Sequence, residues 1–219
     1  MKKKTDWPRL AIHLGAWITL LVFVVSYFTG NLTANPIQTI ERYTGKAALI
    51  FLILSLACTP LSAILGIPAL GKFKKNLGLY GFMFAAIHLL IFIGLDYGFN
   101  FLIIWLDVNN KLYIWIGVAA FVLLLALAVT SFKKMKQLLK KNWKRLHRAV
   151  YIIAPLVVGH FLLIEKGNVL SLQGNLKEPF IYGGIVLLLL ALRLPPVKNA
   201  LIRVRTKLQQ SNRRADPAL

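Results

Sequence analysis

Acidic residues are scarce in this chain. Seven Asp and Glu stand against 27 Lys and Arg in 219 residues, for a formal net charge of +20. Cysteine is nearly absent: the single Cys58 permits neither an intramolecular disulfide nor a cysteine-based metal site, and reads as a small apolar residue. No glycine-rich phosphate loop follows a strand pattern, so nicotinamide or nucleotide chemistry would belong to another chain. The few Ser and Asp are not grouped as a hydrolytic constellation. Internal repeats, low-complexity tracts and a soluble domain are also missing. The longest segment that is not apolar, Pro195 to Leu219, is too short to fold alone.

What the chain has in abundance is apolar sequence. It is 58% hydrophobic with a mean hydropathy of +0.66, beyond the roughly 45–50% of soluble domains. Six apolar runs approach the ~20 residues that span a bilayer: about Leu10–Phe28, Ala47–Leu65, Leu77–Leu95, Tyr113–Phe132, Arg148–Ile164 and Phe180–Leu194. Helices are expected, because lipid leaves the backbone no partner but itself. The first run is read as a span and not as a cleaved leader: it is too long, and Thr29 to Pro36 lacks a small-residue cleavage site. The expected fold is an all-α integral membrane protein, a six-transmembrane-helix bundle over residues 1–194 with a basic tail over 195–219.

Charge placement gives the orientation. With the N-terminus inside, the inner segments hold 22 of the 27 basic residues: Lys2, Lys3, Lys4 and Arg9; Lys72, Lys74 and Lys75; eight from Lys133 to Arg148; and seven from Arg193 onward. The outer loops hold Arg42, Lys46, Lys111, Lys166 and Lys177, balanced by Glu41, Asp96, Asp107, Glu165 and Glu178. Both termini are therefore expected in the cytoplasm, in a cell's inner membrane. Basic clusters directly beside apolar spans suit anionic headgroups or an acidic protein face, and exclude a nucleic-acid partner.

Three histidines, His88, His147 and His160, lie in or at the edge of apolar runs, and an imidazole in lipid needs a partner or a metal. His88 falls 11 residues past Leu77, roughly 16 Å into the membrane, and His160 falls 13 past His147, roughly 20 Å in, at ~1.5 Å per residue. The two can meet at one level. Two neutral imidazoles on either face of a porphyrin would make a low-spin electron-transfer site; alternatively, each hydrogen-bonds a neighbouring helix. His147 sits between basic residues at the inner interface, about 140° around an ideal helix from His160, although Pro155 can alter that twist. It either ligates a second haem or bonds propionates or headgroups. His13, near the inner end of the first run, reads as structural. Trp143 could stack a flavin or quinone, or anchor the interface. The basic stretch Lys133–Arg148 is either a dock for an electron donor or flavin phosphate, or ordinary topology-setting charge.

Leu77-Gly78-Leu79-Tyr80-Gly81-Phe82 leading to His88-Leu89-Leu90 and Asp96, Asn35-Pro36, Thr44-Gly45, Thr59-Pro60, Arg145-Leu146-His147-Arg148 with Val150-Tyr151, and His160-Phe161-Leu162 form a joint pattern over roughly residues 35 to 165. It resembles the haem-binding membrane subunits of bacterial systems that repair periplasmic methionine sulfoxide, within the ferric reductase-like transmembrane superfamily. The resemblance implies a conduit carrying one or two haem b, with His88, His147 and His160 the haem-associated histidines and FMN also associated with the family. Electrons would arrive from quinol or a cytosolic flavin reductase and leave to a periplasmic molybdopterin reductase. Ser62 stands where a basic residue is expected, and the segment Trp105–Lys111 departs from the family pattern. The competing expectations are a stand-alone ferric or oxygen reductase with the same haems, and a non-redox scaffold or small transporter.

Overall fold

The computed structural model describes residues 6–109, 111–165 and 176–215. Lys2, Lys3, Lys4, Lys166 and the last four residues of the basic tail lie outside the described residues. Within them the chain is helical, with no strand. The helices are α1 (Trp7–Phe28), α2 (Pro36–Leu65), α3 (Lys74–Ile91), α4 (Phe101–Val108), α5 (Leu112–Val129), α6 (Lys133–Leu146), α7 (Val150–Ile164), α8 (Lys177–Ala191) and α9 (Pro195–Ala215).

Five stretches are individually long and apolar enough to cross a membrane: Trp7–Phe28, Pro36–Leu65, Pro68–Asp96, Leu112–Val129 and Lys133–Ile164. The sixth apolar run is α8, whose 15 residues reach only about 22 Å. It is long enough to cross only together with α9, from which it is bent by 77°. The protein is thus an all-helical membrane protein with five to six candidate spans.

Local sequence explains the element ends. Asn35 caps α2 by accepting the Gln38 N–H at 3.2 Å, with Pro36 in the first turn where no donor is missed. Gly66 closes α2 in the left-handed conformation, φ 71°. The run expected to continue to Phe132 stops as a helix at Val129. The indole N–H of Trp143 donates to the Thr130 carbonyl at 2.9 Å and folds the basic segment back under α5. That segment, Lys133–Leu146, is an amphipathic helix kinked at Lys140 (φ 43°).

Two packing clusters order the helices. Leu49, Leu52, Ile53 and Leu56 of α2 meet Leu124 and Leu127 of α5, Ile153 and Ala154 of α7, and Val186 and Leu189 of α8. On the other side of α2, Ala16 of α1, Ala47 and Phe84 are buried together, with Phe51 stacked on Phe84 at 5.4 Å between ring centres. α2 and α3 approach closely because α3 presents glycine: a Cβ on Gly81 would sit 3.3 Å from the Leu52 backbone nitrogen and 3.4 Å from the Ala48 oxygen. α1 buries only Ala16, and its Trp17, Ile18, Leu21 and Phe28 are exposed as lipid-facing residues are.

The Pro60 ring inside α2 supplies no N–H, which removes the helical partner of the Leu56 carbonyl. Arg193, just past the end of α8, donates to that oxygen at 2.5 Å and to the Tyr151 hydroxyl at 3.1 Å. Arg205 of α9 donates to the Ala63 carbonyl at 3.1 Å, satisfying another end group of α2. The described part of the basic tail is therefore helical and leans on α2. These contacts, with Ser55 bonded to the Lys74 carbonyl and Lys75 over Phe132, gather the basic segments at one end of the bundle. The opposite end carries the pairs Arg42–Glu165, Lys46–Glu178 and Lys111–Asp107.

Candidate functional site: a histidine pair in the bundle

α3 and α7 bring His88 and His160 beside each other across the bundle, with ring centres 6.3 Å apart and planes nearly perpendicular, at 85°. His88 Nδ1 bonds the Glu41 carbonyl of α2 at 2.9 Å. His160 Nδ1 bonds the Tyr113 carbonyl of α5 at 2.6 Å. A carbonyl oxygen can only accept, so Nδ1 carries the proton in both rings and Nε2 is left with its lone pair. That tautomer is the one an imidazole needs to bind a metal through Nε2 while a carbonyl fixes its orientation.

The rings lie in a cavity of about 490 Å³ between α2, α3, α5 and α7, within the roughly 300–1,000 Å³ of small-molecule sites. Glycine makes room for each ring. A Cβ on Gly45 would lie 3.3 Å from His88 Nδ1, and one on Gly117 would lie 2.7 Å from His160 Cε1 and 2.8 Å from its Nδ1. Gly45 belongs to the Thr44-Gly45 motif of the sequence, whereas Gly117, the Tyr113 carbonyl and the Glu41 carbonyl stand in no motif there. A signal for them exists in the register. Each histidine follows its carbonyl by 47 residues, and each glycine follows that carbonyl by one helical turn. Glu41 and Tyr113, Gly45 and Gly117, Ala48 and Ala120, Leu52 and Leu124, and His88 and His160 are all 72 apart and all line the cavity. No sequence repeat was expected; the equivalence is one of position.

The fit to a ligated metal can be checked on this geometry. Two collinear metal–imidazole bonds of roughly 2 Å put the donor nitrogens roughly 4 Å apart. Each ring centre lies a little over an ångström behind its nitrogen, so a centroid separation of 6.3 Å matches one ion with both Nε2 atoms turned to it. Among the described residues no group of three or more His, Cys, Asp or Glu could hold a metal, so a bare ion with protein ligands alone has no site there. A macrocycle that brings its own donors to the metal fits the two histidines and the largely apolar cavity they line.

His147 is not part of this pair. It stands in the 3-10 turn His147–Ala149 at the other end of α7, 13 residues away, or roughly 20 Å along a helix. Its ring stacks on Trp143 with centres 4.1 Å apart. Its Nε2 lies 3.2 Å from Thr130 Oγ1, whose own hydrogen goes to the Ala126 carbonyl at 2.6 Å, so Nε2–H donates to the hydroxyl oxygen. An ideal helix turns His147 well away from His160. Both rings reach α5 all the same, His147 at its Thr130 end and His160 at its Tyr113 end, with a 3-10 turn and Pro155 in the stretch that joins them. Trp143 is occupied by His147, the Thr130 carbonyl and the Lys136 ammonium 5.0 Å above it. His13 links α1 to α3, bonding Tyr80 Oη at 2.5 Å and Asn76 at 3.4 Å.

At the end of the bundle away from the basic segments, Asp107 accepts from both Tyr97 and Lys111. The ammonium and phenol together hold the Asp107 carboxyl below its ordinary range, and the ion pair holds Lys111 above its own. Desolvation, and then the bond to Asp107, push the Tyr97 phenol up to about 12.

A helical bundle that presents two facing imidazoles inside lipid defines a class of membrane redox proteins, and comparison with known proteins agrees. Residues 44–158 match the family described as ferric reductase like transmembrane component. The "Protein-methionine-sulfoxide reductase heme-binding subunit MsrQ" of Rhodospirillum rubrum is 39% identical over 197 residues, covering 90% of this chain and 91% of that one. Magnetosome protein MamZ of Magnetospirillum gryphiswaldense is 36% identical over 194 residues, 86% of this chain but 29% of that longer protein. The chain belongs to the ferric reductase-like transmembrane family and, within it, to the MsrQ group.

Proposed function

We propose that this chain is a transmembrane b-type cytochrome that passes electrons across the membrane to a methionine sulfoxide reductase on the outer side. The observation that carries the reading is the pair of Nδ1-anchored imidazoles whose centres lie 6.3 Å apart. His88 and His160 would hold the haem iron, one on each side. Bound there, the haem supplies a one-electron carrier whose potential the ligands and burial set.

The chain's own residues do the rest. The Glu41 and Tyr113 carbonyls keep both rings in the ligating tautomer. Leu52, Phe121 and Leu124 line the cavity and exclude water. The expected partner follows from the relative named as the heme-binding subunit of a protein-methionine-sulfoxide reductase; a molybdopterin enzyme in the periplasm is the form the family resemblance implies. The donor is a separate molecule, quinol or a cytosolic flavin reductase. The basic end of the bundle, with α6, is where an acidic donor or anionic FMN would be attracted. In this reading α8 is the sixth span, residues 1–194 form one haem-binding domain, and both termini lie on the cytoplasmic side of the inner membrane. A second, inner haem at His147 would have to use Nδ1, since Nε2–H is committed to Thr130.

A visible spectrum of the purified protein, with a pyridine haemochrome assay, tests the proposal. The wild type is expected to show a low-spin b-type spectrum, and His88→Ala and His160→Ala each to lose the same component. A colourless wild type produced with ample haem, or variants that lose different components, would refute it. Reoxidation of the reduced protein by Fe(III) with no partner present, at the rate the reductase supports, would favour the stand-alone ferric reductase instead.

A further inference from the structure

The cavity holding His88 and His160 is polar at one end only. Leu49, Leu52, Ala85, Phe121, Leu124 and Val157 wall the deeper part, whereas Arg42, Lys46 and Lys111 reach the outer mouth. Arg42 comes from the second turn of α2 and Lys111 from the residue before α5, so the cations arrive from two separate elements. Each is steadied by an acid: Arg42 Nη2 to Glu165 Oε1 at 2.5 Å, Lys46 to Glu178, and Lys111 to Asp107, which also accepts from Tyr97. Glu41 and Asp96 line the same end, so the mouth is not simply a positive field.

What the mouth offers is directed donors. A guanidinium has five N–H groups and an ammonium three, so Arg42 and Lys111 keep donors after their ion pairs are made. The deep wall offers no charged or hydroxyl partner, and an anionic group turned that way would be desolvated and unpaired. We propose that Arg42 and Lys111 form a carboxylate clamp, which binds the two propionates of the haem at the outer mouth and fixes which way round the porphyrin lies. This rests on the haem reading above and assigns that site its recognition end.

The test compares protohaem with its dimethyl ester, which has the same iron and ring but no carboxylates. Full-length protein from haem-limited cells is titrated with each, and the Soret band and the midpoint potential are recorded. The wild type is expected to prefer the free acid by about tenfold or more, the ratio one charge-assisted contact confers. Lys111→Gln, and Arg42→Gln made together with Glu165→Gln so that no lone buried carboxylate remains, should each cut that preference severalfold. Both should bind the ester as the wild type does; Lys111→Gln should also lower the potential of bound protohaem, because one net positive charge near it is lost, whereas the Arg42→Gln/Glu165→Gln protein, which loses one charge of each sign, should shift it less. Lys75→Gln, at the basic end, should change neither quantity. Equal wild-type affinity for acid and ester, or a preference that survives in Arg42→Gln/Glu165→Gln/Lys111→Gln, overturns the clamp and leaves the cytochrome reading standing. Failure of the wild type to bind either compound overturns both.

Discussion

Adding one methyl group at Gly117 should disturb the histidine pair far more than adding one at Gly45. A Cβ on Gly117 falls 2.7 Å from His160 Cε1 and 2.8 Å from Nδ1, about 0.7 Å inside ordinary contact at 3.4 Å; on Gly45 the deficit against His88 is only about 0.1 Å. His160 cannot yield cheaply, because its Nδ1 is held to the Tyr113 carbonyl at 2.6 Å. Gly117→Ala should therefore cost about 1–3 kcal/mol, the usual range for overpacking a full site, weaken the carbonyl bond and move the ring off the 6.3 Å spacing. Gly45→Ala should cost well under that, since a shift of a tenth of an ångström suffices. Both variants would be purified and compared for haem content by pyridine haemochrome, midpoint potential by spectroelectrochemistry, and melting temperature in detergent. The expected outcome is a Gly117→Ala protein with depleted or spectrally altered haem and a lower melting temperature, beside a near-normal Gly45→Ala protein. If Gly117→Ala keeps full haem at an unchanged potential, or Gly45→Ala is the worse of the two, the glycine does not position the ring.

Other expectations are more local. Arg193→Ala should lower stability by about 1–3 kcal/mol by orphaning the Leu56 carbonyl, and Pro60→Ala, which restores the helical N–H, should recover most of that loss in the double variant; additive melting shifts would contradict the pairing. The Asp107 carboxyl is held low by Lys111 and Tyr97. Its stabilisation is then complete above the ordinary carboxylate value of about 3.9 and lost as pH falls through the lower folded value. The difference in melting temperature between wild type and Asp107→Asn should accordingly be constant near neutrality and close below about pH 4. Tyr97 is pushed up to about 12, so its share of stability is present below about pH 10 and lost as pH rises toward 12; an ultraviolet tyrosinate titration of Tyr97→Phe should lack the component near 12.

The membrane spans and the level of the histidines were readable from the sequence, because hydropathy and an axial rise of 1.5 Å per residue are properties of single helices. That arithmetic puts His88 and His160 at one level; that they face the same cavity depends on helix rotation, which the structure supplies. The carbonyl anchors were not readable, since a backbone oxygen leaves no mark on residue identity and its assignment to Glu41 or Tyr113 depends on helix rotation. Gly117 looked like any glycine in an apolar run until the ring opposite it was placed. α6 was hidden by its charge: hydropathy discards a lysine-rich stretch, although Met135, Leu138, Leu139 and Leu146 keep a helical period. An ideal helix sets His147 and His160 about 140° apart; Pro155 signals in the sequence that this angle can change, whereas the 3-10 turn at His147–Ala149 leaves no such mark.

The 72-residue register gives the candidate site an origin at a seam. One imidazole with its carbonyl and glycine comes from the α2–α3 hairpin, the matching set from α5 and α7, and neither holds both proposed ligands. If the two histidines hold the haem as proposed, a chain severed in the connection around α4 yields two colourless fragments that regain colour only by reassembling. Haem absorbance would then report, in a living membrane, whether the two hairpins have found each other.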